Sequence, residues 1–305
     1  MTDIFRRRPD LLPSIGIAFS AALWGLFWLP LRGIEEAGVA GIWTSPTVFA
    51  CISLVFLPVA LWRWRNFVAG GADLVVAGAL AGAAFGLYAS SILLTEVVRA
   101  LLLFYVTPLW STALGLAFLG ERLTVNRVIA LTLGIAGLVV VLGAGVQFPW
   151  PRQIGDWLAL ASGLCWSFAS VRLFQGGPTL VFEKTVVFVL FAFLVTLGLT
   201  QLPLDTAGEF PSATALAGGW RWYVVVVIFL LPATYMTIWP TTVLSPARVG
   251  ILYMAEVVVG VCSAATLTDE PFGIREALGT VLILSAGIVE VLRQQDLQAG
   301  GKTSG

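Results

Sequence analysis

The chain contains no histidine, only three cysteines and few charges: 11% of its 305 residues are Asp, Glu, Lys or Arg. Without an imidazole there is no Ser-His or Cys-His nucleophile pair and no His-ligated metal. Cys51, Cys165 and Cys262 stand far apart, each inside an apolar segment. They read as small buried hydrophobes, not as a disulfide or a metal cluster. No Gly-Lys-Ser/Thr phosphate loop is present, so an ATP-driven pump would need a separate energy-supplying subunit. The net charge is zero and no basic tract follows Arg6-Arg7-Arg8, which argues against a nucleic-acid partner. The sequence thus implies no catalytic set, no metal and no cofactor.

What fills the chain instead is apolar: 58% of residues are hydrophobic. A soluble domain carries about 25% charged residues, and a water-soluble globule of this composition would lack the polar surface to cover itself. Apolar runs near 20 residues recur between charges and Pro/Gly clusters. They predict ten membrane helices: Pro13–Leu31, Gly41–Trp62, Leu74–Leu94, Val97–Leu119, Val125–Ala144, Ile154–Phe174, Leu180–Leu202, Trp220–Val243, Val249–Leu267 and Ile274–Leu292. The connections are short, so neighbouring helices run antiparallel. The first segment has a basic start and small residues at Ser20-Ala21-Ala22, but its apolar run continues to Leu31, as an uncleaved helix would.

An internal repeat overlies this pattern. Arg99 precedes Glu121 by 22 positions, and Arg248 precedes Glu270 by the same 22; the copies are offset by 149. Ala136-Gly137-Leu138-Val139 matches Ala286-Gly287-Ile288-Val289, and Ser20-Ala21-Ala22-Leu23-Trp24-Gly25 matches Ser162-Gly163-Leu164-Cys165-Trp166-Ser167 at an offset of 142. With the N-terminus inside, twelve of the seventeen Lys and Arg residues fall on the cytoplasmic side and five on the other. Both termini are then cytoplasmic, and five spans per half make the second half enter the membrane inverted. The expected units are residues 1–12 as an N-terminal segment, 13–146 and 147–292 as five-helix repeats, and 293–305 as a tail.

These features, with Pro108-Leu109-Trp110 and Phe118-Leu119-Gly120-Glu121-Arg122-Leu123, resemble the paired EamA repeats of the drug/metabolite transporter superfamily. The resemblance runs from about Pro13 to Leu292. It implies an all-α membrane protein of ten transmembrane helices, two inverted five-helix repeats, and a substrate cavity between the halves. It also implies movement of small metabolites, often outward, without ATP hydrolysis, in a bacterial-type inner membrane. Among family members, an exporter of aromatic amino acids is the one the aromatic content suggests. The second copy departs from the pattern: Glu256-Val257 stands where the first has Thr107-Pro108.

A carrier site is expected near the bilayer midplane. Residues about ten positions from a helix end are Trp24, Trp28, Phe85, Tyr88, Phe104, Tyr105, Trp110, Trp166, Tyr235, Trp239, Tyr253 and Glu256. Trp43, Trp62, Trp64, Trp150, Trp157, Trp220 and Trp222 lie near span ends and read as interfacial belts. Aromatic walls favour a flat apolar solute and an ammonium group. Glu256 is costly in a helix centre, roughly 2.5–3.5 kcal/mol. It reads as a substrate-ammonium contact, as a proton-coupling acid, or as a structural acid bonded to a neighbouring helix. Glu96 and Arg99, spaced i, i+3, are expected to pair at the surface, with an outer gate as the alternative, and Glu121 and Glu270 to cap or brace a neighbouring helix in preference to touching substrate. Gly78, Gly82 and Gly86 give one helix a face without side chains. Pro108, Pro232 and Pro240 are hinge candidates, the eighth helix first because it carries two. The partners implied are a small-molecule solute and membrane lipid. The alternatives are export of drugs or non-aromatic metabolites and, from another class, a membrane-embedded enzyme.

Overall fold

The computed structural model describes residues 9–39, 41–143, 150–202, 210–267 and 273–292. Among them there are helices and no strands. Nine stretches are long and apolar enough to cross a membrane, and the first nine predicted segments map onto them. The chain is therefore a multi-pass membrane protein. The tenth predicted segment is also a helix, Ile274–Leu292, but Arg275, Glu276 and Glu290 give it a higher density of charge than the other nine stretches carry. Glu270 lies outside the described residues, as do the segments before residue 9 and after residue 292.

In chain order the helices are α1 (Leu11–Gly25), α2 (Trp28–Glu36), α3 (Thr44–Trp62), α4 (Trp64–Leu94), α5 (Val97–Phe104), α6 (Thr107–Phe118), α7 (Val125–Leu138), α8 (Ile154–Gly176), α9 (Val181–Leu199), the short α10 (Ala213–Gly218), α11 (Trp220–Thr241), α12 (Pro246–Tyr253), α13 (Ala255–Leu267) and α14 (Ile274–Leu292). Several spans are therefore broken: α1 with α2, α5 with α6, and α12 with α13 each make one crossing in two pieces. Within α4, Gly71 takes φ +55°. That region favours a residue without Cβ, and it separates the Trp64–Gly70 turns from the apolar run predicted to begin at Leu74.

Why the fourth crossing breaks is legible in its backbone. Pro108 has no N–H to return to the Phe104 carbonyl; the Thr107 hydroxyl donates to that carbonyl instead. The ninth crossing has lost the proline and still breaks at the matching place. There the Val257 N–H reaches Met254 O at 3.1 Å, one residue short of an α-helical bond. Tyr253 O, which it leaves, accepts from the Tyr105 hydroxyl at 3.1 Å. Pro232 and Pro240, by contrast, sit inside the continuous α11.

Close packing fixes the arrangement. α4 lies between α8 and α9, α11 and α13 flank α1, and α7 pairs with α14. The bare face of α4 explains one of these contacts. A Cβ on Gly78 would lie 2.5 Å from Val187, on Gly82 2.5 Å from Phe188 O, and on Gly86 3.0 Å from Ala192 O. Without a large hydrophobic gain on association in lipid, such backbone approach is a main source of helix affinity.

Candidate functional site

Glu256 opens α13, directly after the break in the ninth crossing, and is 7% exposed. Its carboxylate accepts from Tyr88 Oη on Oε1 at 3.1 Å and from Tyr105 Oη on Oε2 at 2.7 Å. Four acids are buried among the described residues: Asp156, Glu183, Glu256 and Glu290. Three of them are in ion pairs with arginines: Asp156 with Arg99 at 2.6 Å, Glu183 with Arg63 at 2.6 Å and Glu290 with Arg127 at 3.4 Å. Glu256 is held by phenols alone. Two phenol bonds use about half of the acceptor sites of a carboxylate, so capacity remains for a cationic donor.

An enclosed wall of rings stands behind it. Phe85 is the hub, with ring centroids 4.6 Å from Trp24, 5.2 Å from Trp166 and 5.0 Å from Phe188. Phe104 joins Tyr88 at 4.5 Å to Tyr105 at 5.0 Å, and Trp166 lies 5.6 Å from Tyr253. Buried phenols and indoles need polar partners, and a second network supplies them. The Tyr253 hydroxyl meets Ser20 Oγ at 3.1 Å and Thr237 Oγ1 at 2.7 Å, while Trp24 Nε1 donates to Thr237 Oγ1 at 3.1 Å. Bonds across α1, α11 and α12 thereby lock the rotamers around the carboxylate.

In front of Glu256 lies a cavity of about 420 Å³, lined by Trp24, Phe27, Trp28, Arg32, Tyr88 and Glu256 among others. Its floor is the break of the ninth crossing; its rim, with Arg32, Val97 and Leu142, lies at the helix ends away from the N-terminus. Gly25 and Gly260 let the floor close: a Cβ on Gly25 would sit 2.5 Å from Glu256 O and 3.0 Å from Gly260 N. Trp28 is fixed as a wall by its bond from Nε1 to Ser263 Oγ at 3.0 Å. At the N-terminal face a second cavity, about 570 Å³, is lined by Asp10, Glu121, Arg127, Arg248 and Glu290 among others.

Of the twelve positions singled out in the sequence, Trp24, Trp28, Tyr88 and Glu256 line the first cavity. Phe85, Phe104, Tyr105, Trp166 and Tyr253 form the packed layer behind it. Trp110 and Tyr235 are each 38% exposed and face away, and Trp239 packs beside Gly16. Arg32, Ser20 and Thr237 were not foreseen as site residues; Ser20 alone had a signal, its place in the repeated Ser-Ala-Ala-Leu-Trp-Gly motif. The expected Glu96–Arg99 surface pair is replaced by Arg99–Asp156. The first-turn carboxylate of α8 already accepts from the Arg152 and Gln153 backbone and from Thr95, and Arg99 completes its shell. Glu121 does brace a neighbour: it pairs with Arg127, which also reaches Glu290 and Ser245.

Sequence comparison meets this geometry at its N-terminal half. Residues 12–143 match the model of the EamA-like transporter family. The EamA-like half contributes Trp24, Trp28, Tyr88 and Tyr105 to the site, whereas Glu256 comes from the other half. The chain is also similar to Protein RarD of Streptomyces exfoliatus, with 29% identity over 200 residues. That match covers 60% of this chain and 58% of the length of the relative. A solved crystal structure superposes with a TM-score of 0.67 over 92% of this chain and 98% of its own, at 22% identity. At that identity the likeness concerns the fold.

Proposed function

We propose that the chain is a secondary transporter of the bacterial inner membrane that exports small metabolites by alternating access, with aromatic amino acids the favoured solutes. The observation that carries the reading is Glu256: a buried carboxylate without an arginine or lysine partner among the described residues, aimed at an aromatic-walled cavity. An unpaired charge at that depth costs several kcal/mol. Neutralisation by the ammonium of a solute, or by a proton that couples its movement, removes the cost. Surrounding rings add about 0.5–2 kcal/mol of cation–π attraction. Contacts of that size suit a carrier, whose solute must also leave.

Ten crossings, two inverted repeats and cytoplasmic termini complete the proposal. Packing supports the inversion. Exchanging the halves turns the contact of α4 with α8 into that of α11 with α1, and the contact of α1 with α13 into that of α8 with α5 and α6. Arg99–Asp156 has a counterpart in Arg248–Asp10 at 3.7 Å, each joining the start of a broken crossing to the start of a half. The two cavities are related in the same way, since the spans that line one map onto spans that line the other. Solute then passes between faces as the halves trade conformations.

Reconstituted vesicles test the reading. Counterflow of labelled tryptophan and phenylalanine is expected, with threonine and a cationic dye as comparison solutes, with and without a pH gradient. Dye flux without amino-acid flux would favour export of drugs or non-aromatic metabolites. If no solute moves while a lipid or peptide is chemically altered, the protein is a membrane-embedded enzyme instead.

A further inference from the structure

We infer that Arg32 is the carboxylate-binding residue of the cavity, so that the transported solute is a zwitterion, its ammonium at Glu256 and its carboxylate toward the rim. The inference rests on the transport reading above and names the substrate class and a specificity residue of the same site.

Among the described residues that line the 420 Å³ cavity, Arg32 is the one cation and Glu256 the one acid; the other walls are largely apolar. Gly25, at the end of α1, and Trp28 and Arg32, on α2, all line the cavity along the first crossing. Gly25 is level with Glu256, because a Cβ there would lie 2.5 Å from Glu256 O. Seven residues, counted through the tight turn between α1 and α2, put the Arg32 backbone about 10 Å further along the crossing. Side chains on a helix lean toward its N-terminus, which for Arg32 is toward the floor. The guanidinium now reaches outward to Glu36; turned inward instead, it would leave room between itself and the Glu256 carboxylate for a small molecule with both charges.

The present partner of Arg32 does not hold it firmly. Glu36 is 3.5 Å away, and the two side chains are 63% and 69% exposed. An exposed i, i+4 pair contributes little, whereas a guanidinium can grip a solute carboxylate with two parallel bonds. A carboxylate entering these apolar walls without such a partner would be strongly disfavoured. A solute with an ammonium alone satisfies Glu256 and has no use for Arg32. The two classes are thereby separable.

Tryptophan and tryptamine share the indole and the ammonium and differ in the carboxylate. In proteoliposome counterflow, wild-type protein is expected to move both. Arg32→Gln is expected to raise the ratio of the tryptophan KM to the tryptamine KM about tenfold, the worth of one charge-assisted contact, and Arg32→Lys to restore part of it. An unchanged ratio in Arg32→Gln, while Glu256→Gln abolishes movement of both solutes, overturns this inference alone. If wild-type protein moves neither solute, or Glu256→Gln moves both normally, the transport reading falls and takes this inference with it.

Discussion

At the scale of single residues, the informative contrast is between Glu256 and the acids that resemble it only in burial. Asp156, Glu183 and Glu290 have arginine partners and hold elements together; breaking such a pair costs about 3–5 kcal/mol. Glu256 has donors but no counter-charge. Glu256→Gln is therefore expected to leave thermal unfolding in detergent nearly unchanged while abolishing solute movement and its dependence on a pH gradient. Gradient dependence equal to wild type would make Glu256 a structural acid. Tyr105→Phe differs in kind, since it frees both Glu256 Oε2 and the Tyr253 carbonyl at the helix break. A loss of stability of about 1–3 kcal/mol is expected, read as a lower unfolding temperature, together with weakened transport.

At the scale of elements, two features decide whether the site can exist. One is the broken crossing, which frees backbone groups that side chains then satisfy: Thr107 serves Phe104 O in the first copy, and Tyr105 serves Tyr253 O in the second. The other is the glycine face of α4, whose seating on α9 sets Tyr88 at the cavity and Phe85 in the layer behind it. Gly82→Ala puts a Cβ 2.5 Å from Phe188 O and 2.7 Å from Ala192 N, both backbone atoms that cannot rotate away. Overpacking of this kind costs about 1–3 kcal/mol. The unfolding temperature is expected to fall; a variant as stable as wild type would show that α4 and α9 separate easily.

For the whole molecule, the prediction concerns sidedness. Single cysteines placed at Arg65 and Arg122 in a background lacking Cys51, Cys165 and Cys262 are expected to react with an impermeant maleimide only from the cytoplasm. One at Gln153 is expected to react only from outside. Labelling of all three from one side would exclude the proposed inversion, since the connections lie at alternate ends of antiparallel helices.

Sequence alone determined the membrane class, the first nine apolar crossings and the place where the copies disagree. Lipid imposes a crossing length and a charge penalty that are written directly into composition and spacing. Glu256 was marked too, because an acid replacing Thr107 in an apolar run is conspicuous by itself; the helix break beside it was not, since the second copy lacks the proline. Only tertiary structure decided which aromatic residues stand at the cavity. Trp110 and Trp24 look alike by depth along a helix, yet one faces outward and the other donates to Thr237. That difference depends on helix rotation, set by contacts between residues some two hundred positions apart. The same holds for charge: Arg99 has a local acid in Glu96 and chooses Asp156, 57 positions away, because the first turn of α8 presents it a desolvated, preorganised carboxylate.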